Sequence, residues 1–271
     1  MSKTVQEILD ELSSDEYTEL LGVKSANPLN EAFIKRRPDH PNAGGSTVLP
    51  PMHQKIWKNK MDSEGSVKNK KAAYIHIPFC QKLCTYCGFF QNYANEDRET
   101  MYIDRLIKQL EMAKQYRYVQ ESLIHCVFLG GGTPSTLSPY NAERLLKAVN
   151  ECLPLANDCE ITMEACVSDL IDEKLQVWFK YGVNRISIGV QSFDTQIRQC
   201  LGRTSPKEIV IENLNRAASY NQAVIIVDLI YGLPYQTVEK FIDDLKIIDD
   251  LPIDGMDLYQ LNVFEKSLLK K

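Results

Sequence analysis

No run of eighteen or more apolar residues occurs in this 271-residue chain, so the sequence holds no segment of the kind that crosses a bilayer as a helix. The N-terminus, Met1-Ser-Lys-Thr-Val-Gln-Glu, lacks the apolar core of a secretory leader, and we expect a cytoplasmic protein with no membrane partner. Basic charge is not in excess either. Lys and Arg number 31 against 36 Asp and Glu, a net charge of −5 that counts against nucleic acid as a partner. Histidine is scarce: His40, His53, His76 and His125 are the four imidazoles on offer as metal ligands. Eight cysteines in a reducing compartment point to metal or cluster ligands and buried thiols rather than disulfides.

What is present is ordinary for a globular protein, 44% apolar and 25% charged residues, with one exception. The stretch Tyr74-Ile-His-Ile-Pro-Phe-Cys80-Gln-Lys-Leu-Cys84-Thr-Tyr-Cys87 is a short apolar strand running into a loop with three closely spaced cysteines. Gaps of three and two residues let one loop turn all three sulfurs toward a single centre. A [4Fe–4S] cube normally takes four thiolates, so Cys80, Cys84 and Cys87 as metal ligands leave one iron open to a small molecule. Pro78, Phe79, Phe89 and Phe90 are expected to shield the cluster from water. A Cys₃His zinc site completed by His76 is the alternative. Cys126, Cys152, Cys159, Cys166 and Cys200 are scattered singly and read as core or surface thiols.

Residues 1–71 read as an arm. Apolar positions over 4–21 form a helical stripe broken near Ser13-Ser14. Asn27 to Pro51 carries five prolines, the Gly44-Gly45 pair and Lys35-Arg36-Arg37, so regular structure is not expected there. The basic triplet is a solvated connection or, alternatively, a contact for propionates or phosphates. Gln54 to Trp57 is expected to form one helical turn, and 62–71 a polar linker.

Over 72–265 short apolar runs alternate with amphipathic segments, the pattern of βα units on a parallel sheet. Strands are expected at 72–77, 124–129, 160–164, 185–189, 224–229 and 256–260, and helices at 97–116, 139–151, 171–181, 194–200, 206–220 and 237–249. In the last helix Val238, Phe241, Ile242, Leu245 and Ile248 should face the sheet, with Asp243 and Asp244 elsewhere. Six strands fall short of the eight of a closed barrel, which gives an α/β fold: a partial (β/α)6 TIM-like barrel with an N-terminal arm.

Several polar or glycine residues sit at the carboxyl ends of these strands, where α/β folds bind ligands. Gly130-Gly-Gly132-Thr133-Pro134-Ser135 follows the second strand, Glu164 ends the third, and Gln191 ends the fourth, ahead of Arg203. Asp228 ends the fifth strand, and needs a polar partner if buried.

The cysteine loop and the triple glycine resemble those of the radical S-adenosylmethionine (SAM) superfamily, in the branch of the oxygen-independent coproporphyrinogen III oxidases and their haem-chaperone relatives. The resemblance implies a [4Fe–4S] cluster whose open iron is chelated by the amine and carboxylate of SAM, and an electron that cleaves the sulfonium to give a 5′-deoxyadenosyl radical. It assigns Gly131, Gly132 and Thr133 to the methionyl amine, and Tyr74, Glu164, Gln191 and Arg203 to the same cofactor. Asp228 matches a position that contacts a second cofactor molecule in the oxidases. The family continues Glu-Ala-Asn-Pro where this chain has Glu164-Ala-Cys166-Val, a departure at that turn.

Within the branch, the oxidases carry a further cysteine where this chain has Phe89. The arm with Phe33-Ile-Lys-Arg-Arg-Pro38, the run from Cys84 to Asn92 and Leu258-Tyr-Gln-Leu261 most resemble the anaerobic haem-degrading methyltransferases, the anaerobilin synthases. That resemblance implies methyl transfer to haem, opening of the porphyrin ring, release of iron and a low-potential donor such as flavodoxin. A porphyrinogen oxidase and a non-catalytic haem chaperone are the alternatives. Residues 266–271 read as a truncated tail, the family's C-terminal domain is expected to be absent, and haem binding with little turnover is expected of the chain.

Overall fold

A computed structural model describes residues 5–23, 48–89, 92–263 and 267–270. The chain divides into two compact units, residues 1–54 and 55–271. The Lys35-Arg36-Arg37 triplet, Gly44-Gly45, His40 and Phe90 lie outside the described residues.

The first unit begins with α1 (Val5–Glu11) and α2 (Ser14–Leu21). The stripe breaks at Ser13 because that residue caps α2. Its hydroxyl accepts from the Glu16 N–H at 3.2 Å while the Glu16 carboxylate accepts from the Ser13 N–H at 2.9 Å, so two otherwise unpaired donors are satisfied. A third helix, α3 (Pro50–Met61), corrects two expectations: Pro50 and Pro51 are helical, and the single turn at 54–57 is part of a twelve-residue helix. Proline is well suited to the first helical turn, where its missing N–H has no intrahelical acceptor.

The second unit is built on six strands: β1 (Lys71–Ile77), β2 (Ile124–Gly131), β3 (Leu155–Cys166), β4 (Arg185–Gln191), β5 (Val224–Tyr231) and β6 (Gly255–Gln260). All pair in parallel, and each lies beside the strand that follows it in sequence. Crossovers between parallel strands are right-handed. Because the order never reverses, the connecting helices collect on one face and the other face is left to line an interior, as in a barrel. β1 and β6 do not pair, so the expected partial (β/α)6 arrangement stands open. Besides a single turn at Arg117–Gln120, the helices of the described residues here are α4 (Glu96–Ala113), α5 (Pro139–Cys152), α6 (Asp172–Lys180), α7 (Thr195–Cys200), α8 (Lys207–Ser219) and α9 (Val238–Asp249).

Strand alternation sorts the two faces. Ile75, Ile77, Val127, Leu129, Ile161, Met163, Ile186, Ile188, Ile225 and Val227 join one core with Ile103, Leu145, Trp178, Leu214 and Ile248 of the helices. The alternate positions, among them Tyr74, His76, Gly130, Glu164, Ser187, Gly189 and Asp228, face the interior. In α9 the expected stripe is partly wrong. Val238 is 70% exposed, whereas Asp244 is buried. Asp244 shares the inward face with Phe241 and Ile248. It is tolerated there because its carboxylate accepts from Ser192 Oγ at 2.7 Å and from the Phe193 N–H at 2.9 Å. Among the described residues no helix is long and apolar enough to cross a membrane.

Candidate active site

The cysteine loop leaves β1 at Pro78 and is stapled to four other segments. Phe79–Cys80 forms a two-residue parallel pairing with Asn92–Tyr93, a small sheet the sequence pattern does not reveal. Thr85 donates from its N–H to the Leu201 carbonyl at 3.2 Å and from its hydroxyl to the Cys200 carbonyl at 3.0 Å. Gln81 Nε2 reaches Asp169 at 3.3 Å, and Thr133 Oγ1 lies 3.4 Å from the Cys80 sulfur. Burial pushes the Cys80 and Cys84 thiols up. Phe79 is buried with its ring edge-on to Tyr102, but Phe89, expected to shield the cysteines, is 67% exposed. Among the described residues no three His, Cys, Asp or Glu side chains are placed to hold a single metal ion. Thiolates of a cube bind separate irons and need not converge on one point.

The turn after β2 packs directly on this loop. The Gly132 N–H donates to the Ile77 carbonyl and the Thr133 N–H to the Phe79 carbonyl, both at 2.8 Å. A Cβ at Gly132 would lie 2.6 Å from the Phe79 oxygen, so only glycine permits this approach. The Gly131 N–H donates to Glu164 Oε2 at 3.2 Å. The N–H groups of Gly131, Gly132 and Thr133 are thus engaged within the fold, and the Thr133 carbonyl accepts from the Thr136 N–H at 2.9 Å and hydroxyl at 2.8 Å.

Tyr74, Glu164 and Asp228 lie along the interior face from β1 to β5. Tyr74, 60% exposed, bonds His76 Nδ1 at 3.1 Å, and its ring lies 3.1 Å from where a Gly130 Cβ would be. Burial, with a smaller contribution from Asp228, raises the Glu164 pKa to about 7 against the opposing Gly131 N–H. Asp228 has the polar partner expected of it: Ser187 Oγ lies 3.2 Å from both its carboxylate oxygens. Burial still lifts its pKa to about 6. Gln191 is buried with a left-handed backbone (φ 71°), a strained conformation for a residue with a side chain. Of the histidines on offer as metal ligands, His76 faces the interior. His53 bonds the Val48 carbonyl at 2.7 Å, and His125 has a buried Nδ1 without a partner among the described residues.

Arg203 joins the loop to the sheet. Its Nη1 donates to the Gly189 carbonyl at 2.8 Å and its Nη2 to the Tyr86 hydroxyl at 3.1 Å, while its buried Nε has no partner among the described residues. Burial works against its charge, yet Tyr86, Cys166 and Cys84 hold its pKa above the usual guanidinium value. A cavity of about 130 Å³ opens here, lined by Cys84, Thr133, Cys166, Ser168 and Arg203. An anionic group entering it would meet the Arg203 guanidinium. The residues thus fit a ligand with a carboxylate beside an iron–sulfur cluster.

Two features escape the sequence reading. Cys166, expected as a bystander thiol, faces this cavity. A buried network also backs it: Lys174 Nζ donates to Asp169 Oδ1 at 2.9 Å and to the Ser135 carbonyl at 2.6 Å, and Ser135 Oγ donates to Asp169 Oδ2 at 2.7 Å. A lysine and an aspartate five residues apart resemble any surface pair, so nothing in the sequence marks them as buried.

Comparison with known proteins accords with this geometry. Over 242 residues the chain is 38% identical to anaerobilin synthase of Escherichia coli O157:H7, covering 89% of this chain and 54% of that protein. It is 35% identical over 195 residues to heme chaperone HemW of Lactococcus lactis, covering 72% of this chain and 50% of the relative. The chain therefore spans about half the length of the curated relatives it matches. Among solved structures, coproporphyrinogen III oxidase (HemN) from Escherichia coli, a radical SAM enzyme, superposes with a TM-score of 0.69 at 27% identity, over 78% of this chain and 48% of that one. The radical SAM superfamily pattern matches residues 74–248. Since that span holds the cysteine loop, the glycine turn and the first five strands, the chain belongs to the radical SAM superfamily, whose members use a [4Fe–4S] cluster and SAM.

Proposed function

We propose that this protein acts on haem as a radical methyltransferase, opening the porphyrin ring and releasing iron. The observation that carries the reading is the 38% identity to an anaerobilin synthase across nearly the whole chain. Cys80, Cys84 and Cys87 hold the cluster. Bound beside it, SAM would supply radical chemistry and a methyl group.

The chain's own residues bind and orient. The Gly131-Gly132-Thr133 turn receives the methionyl ammonium. Arg203 and Gln191 donate to the carboxylate, and a fixed guanidinium fork suits that group. Glu164 and Tyr74 border the adenosyl half. Asp228, further along the interior, faces the space for a second cofactor molecule or the tetrapyrrole, and a cationic sulfonium there favours its ionised form. Electrons come from a low-potential donor such as flavodoxin, which meets the exposed side of the cysteine loop near Phe89.

The test is anaerobic. The protein is reconstituted with iron and sulfide, reduced, and given SAM and haem, while 5′-deoxyadenosine and the Soret band are followed together. Loss of the Soret band as deoxyadenosine accumulates supports haem degradation. Haem bound and recovered intact, with no deoxyadenosine, sinks it and favours the carrier reading to which the HemW similarity points.

A further inference from the structure

We infer that Cys166 is a fourth thiolate of the cluster site, bound to the iron that the three-cysteine loop leaves open until SAM displaces it. The inference rests on the proposal that Cys80, Cys84 and Cys87 hold a [4Fe–4S] cluster, and it concerns a residue to which that proposal gives no task.

Cys166 is the last residue of β3 and lies two residues beyond Glu164, on the interior side of the strand rather than the core side. Its sulfur lies 3.5 Å from Arg203 Nη1 and 3.5 Å from Ser168 Oγ. The sulfur shares the cavity with Cys84 and with Thr133, whose hydroxyl lies 3.4 Å from the Cys80 sulfur. Its backbone is fixed as well: the Cys166 N–H donates to Ser135 Oγ at 3.0 Å, and Ser135 is held in turn by Asp169 and Lys174. A cube completes its coordination with four thiolates. Cys126, Cys152 and Cys159 share neither the cavity nor the Arg203 contact.

Arg203 makes the arrangement exchangeable, because the guanidinium 3.5 Å from the Cys166 sulfur is the one proposed to receive the cofactor carboxylate. With the cofactor bound, Cys166 would give up the iron to its amine and carboxylate and would take up the proton that the ammonium releases. No electron is transferred.

The full chain is reconstituted anaerobically as wild type, Cys166→Ala and Cys166→Ser, and the reduced cluster is examined by electron paramagnetic resonance. Without SAM, the variants should differ from wild type and, on mild ferricyanide oxidation, lose one iron to a [3Fe–4S] signal that the wild type resists. With SAM the spectra should converge, and the variants should bind it severalfold more tightly. In the wild type, Cys166 should resist iodoacetamide until SAM is added, a readout that needs no variant. Identical SAM-free spectra and equal labelling of Cys166 with and without SAM would overturn the inference while leaving the three-cysteine cluster standing. A wild type that takes up no cluster overturns both.

Discussion

Replacing Asp228 by asparagine should remove a pH-dependent loss of stability built into the interior face. In the folded chain burial raises the Asp228 pKa from 3.8 to about 6; Ser187 opposes the shift, Asp257 adds to it, and Arg185 and Arg203 reduce it. Between those two values the native state binds more protons than the unfolded chain, so stability falls as pH rises through the window and the loss is complete above about pH 6. A shift of this size corresponds to about 3 kcal/mol. Asparagine keeps the shape and a hydrogen bond to Ser187 without acquiring charge. Urea unfolding of the apoprotein, reduced and anaerobic, is measured for both proteins from pH 4 to 8. Glu164, also raised by burial, titrates in both, and because Asp228 adds to its shift the difference between them reports Asp228 together with its effect on Glu164. The variant should gain on the wild type as pH rises from 4 to 7 and hold a constant lead beyond. A difference that does not change with pH would refute the argument that Asp228 is buried with too few compensating partners.

Gly132→Ala places a methyl group 2.6 Å from the Phe79 carbonyl oxygen, and backbone cannot yield as a side chain tip would. A loss of about 1–3 kcal/mol is expected from overpacking, with less iron retained after reconstitution; wild-type values for both would show that the turn and the cysteine loop do not meet as described. Lys174→Met leaves Asp169 buried without its counter-charge, since the two side chains are 9% and 3% exposed. Denaturation should show a loss of about 3–5 kcal/mol, partly recovered in Lys174→Met/Asp169→Asn, and a double variant no better than the single one would deny that the charges act as a pair.

The fold was legible because its signals are local. Alternation and 3.6-residue periodicity depend on neighbours along the chain, and the six strands fall where those patterns place them, with β3 longer than its apolar centre. Helix starts are local too: Asn95 accepts from the Arg98 N–H at 3.1 Å, and Thr237 from the Lys240 N–H at 3.3 Å. Errors arose where burial depends on partners remote in sequence. Asp244 reads as solvated until the turn after β4, some fifty residues earlier, supplies its two donors. Cys166 differs in kind. Periodicity puts it on the same face as Glu164, so its direction was readable, but the meaning of that direction comes from Arg203 and Cys84, which arrive from two other loops. A residue at the end of an interior-facing strand, where the family pattern is broken, is therefore better read as part of the site than as a stray thiol. The break in Glu-Ala-Asn-Pro was the available signal, since replacing an amide by a sulfur in the cavity that Cys84 also lines changes what that position can bind.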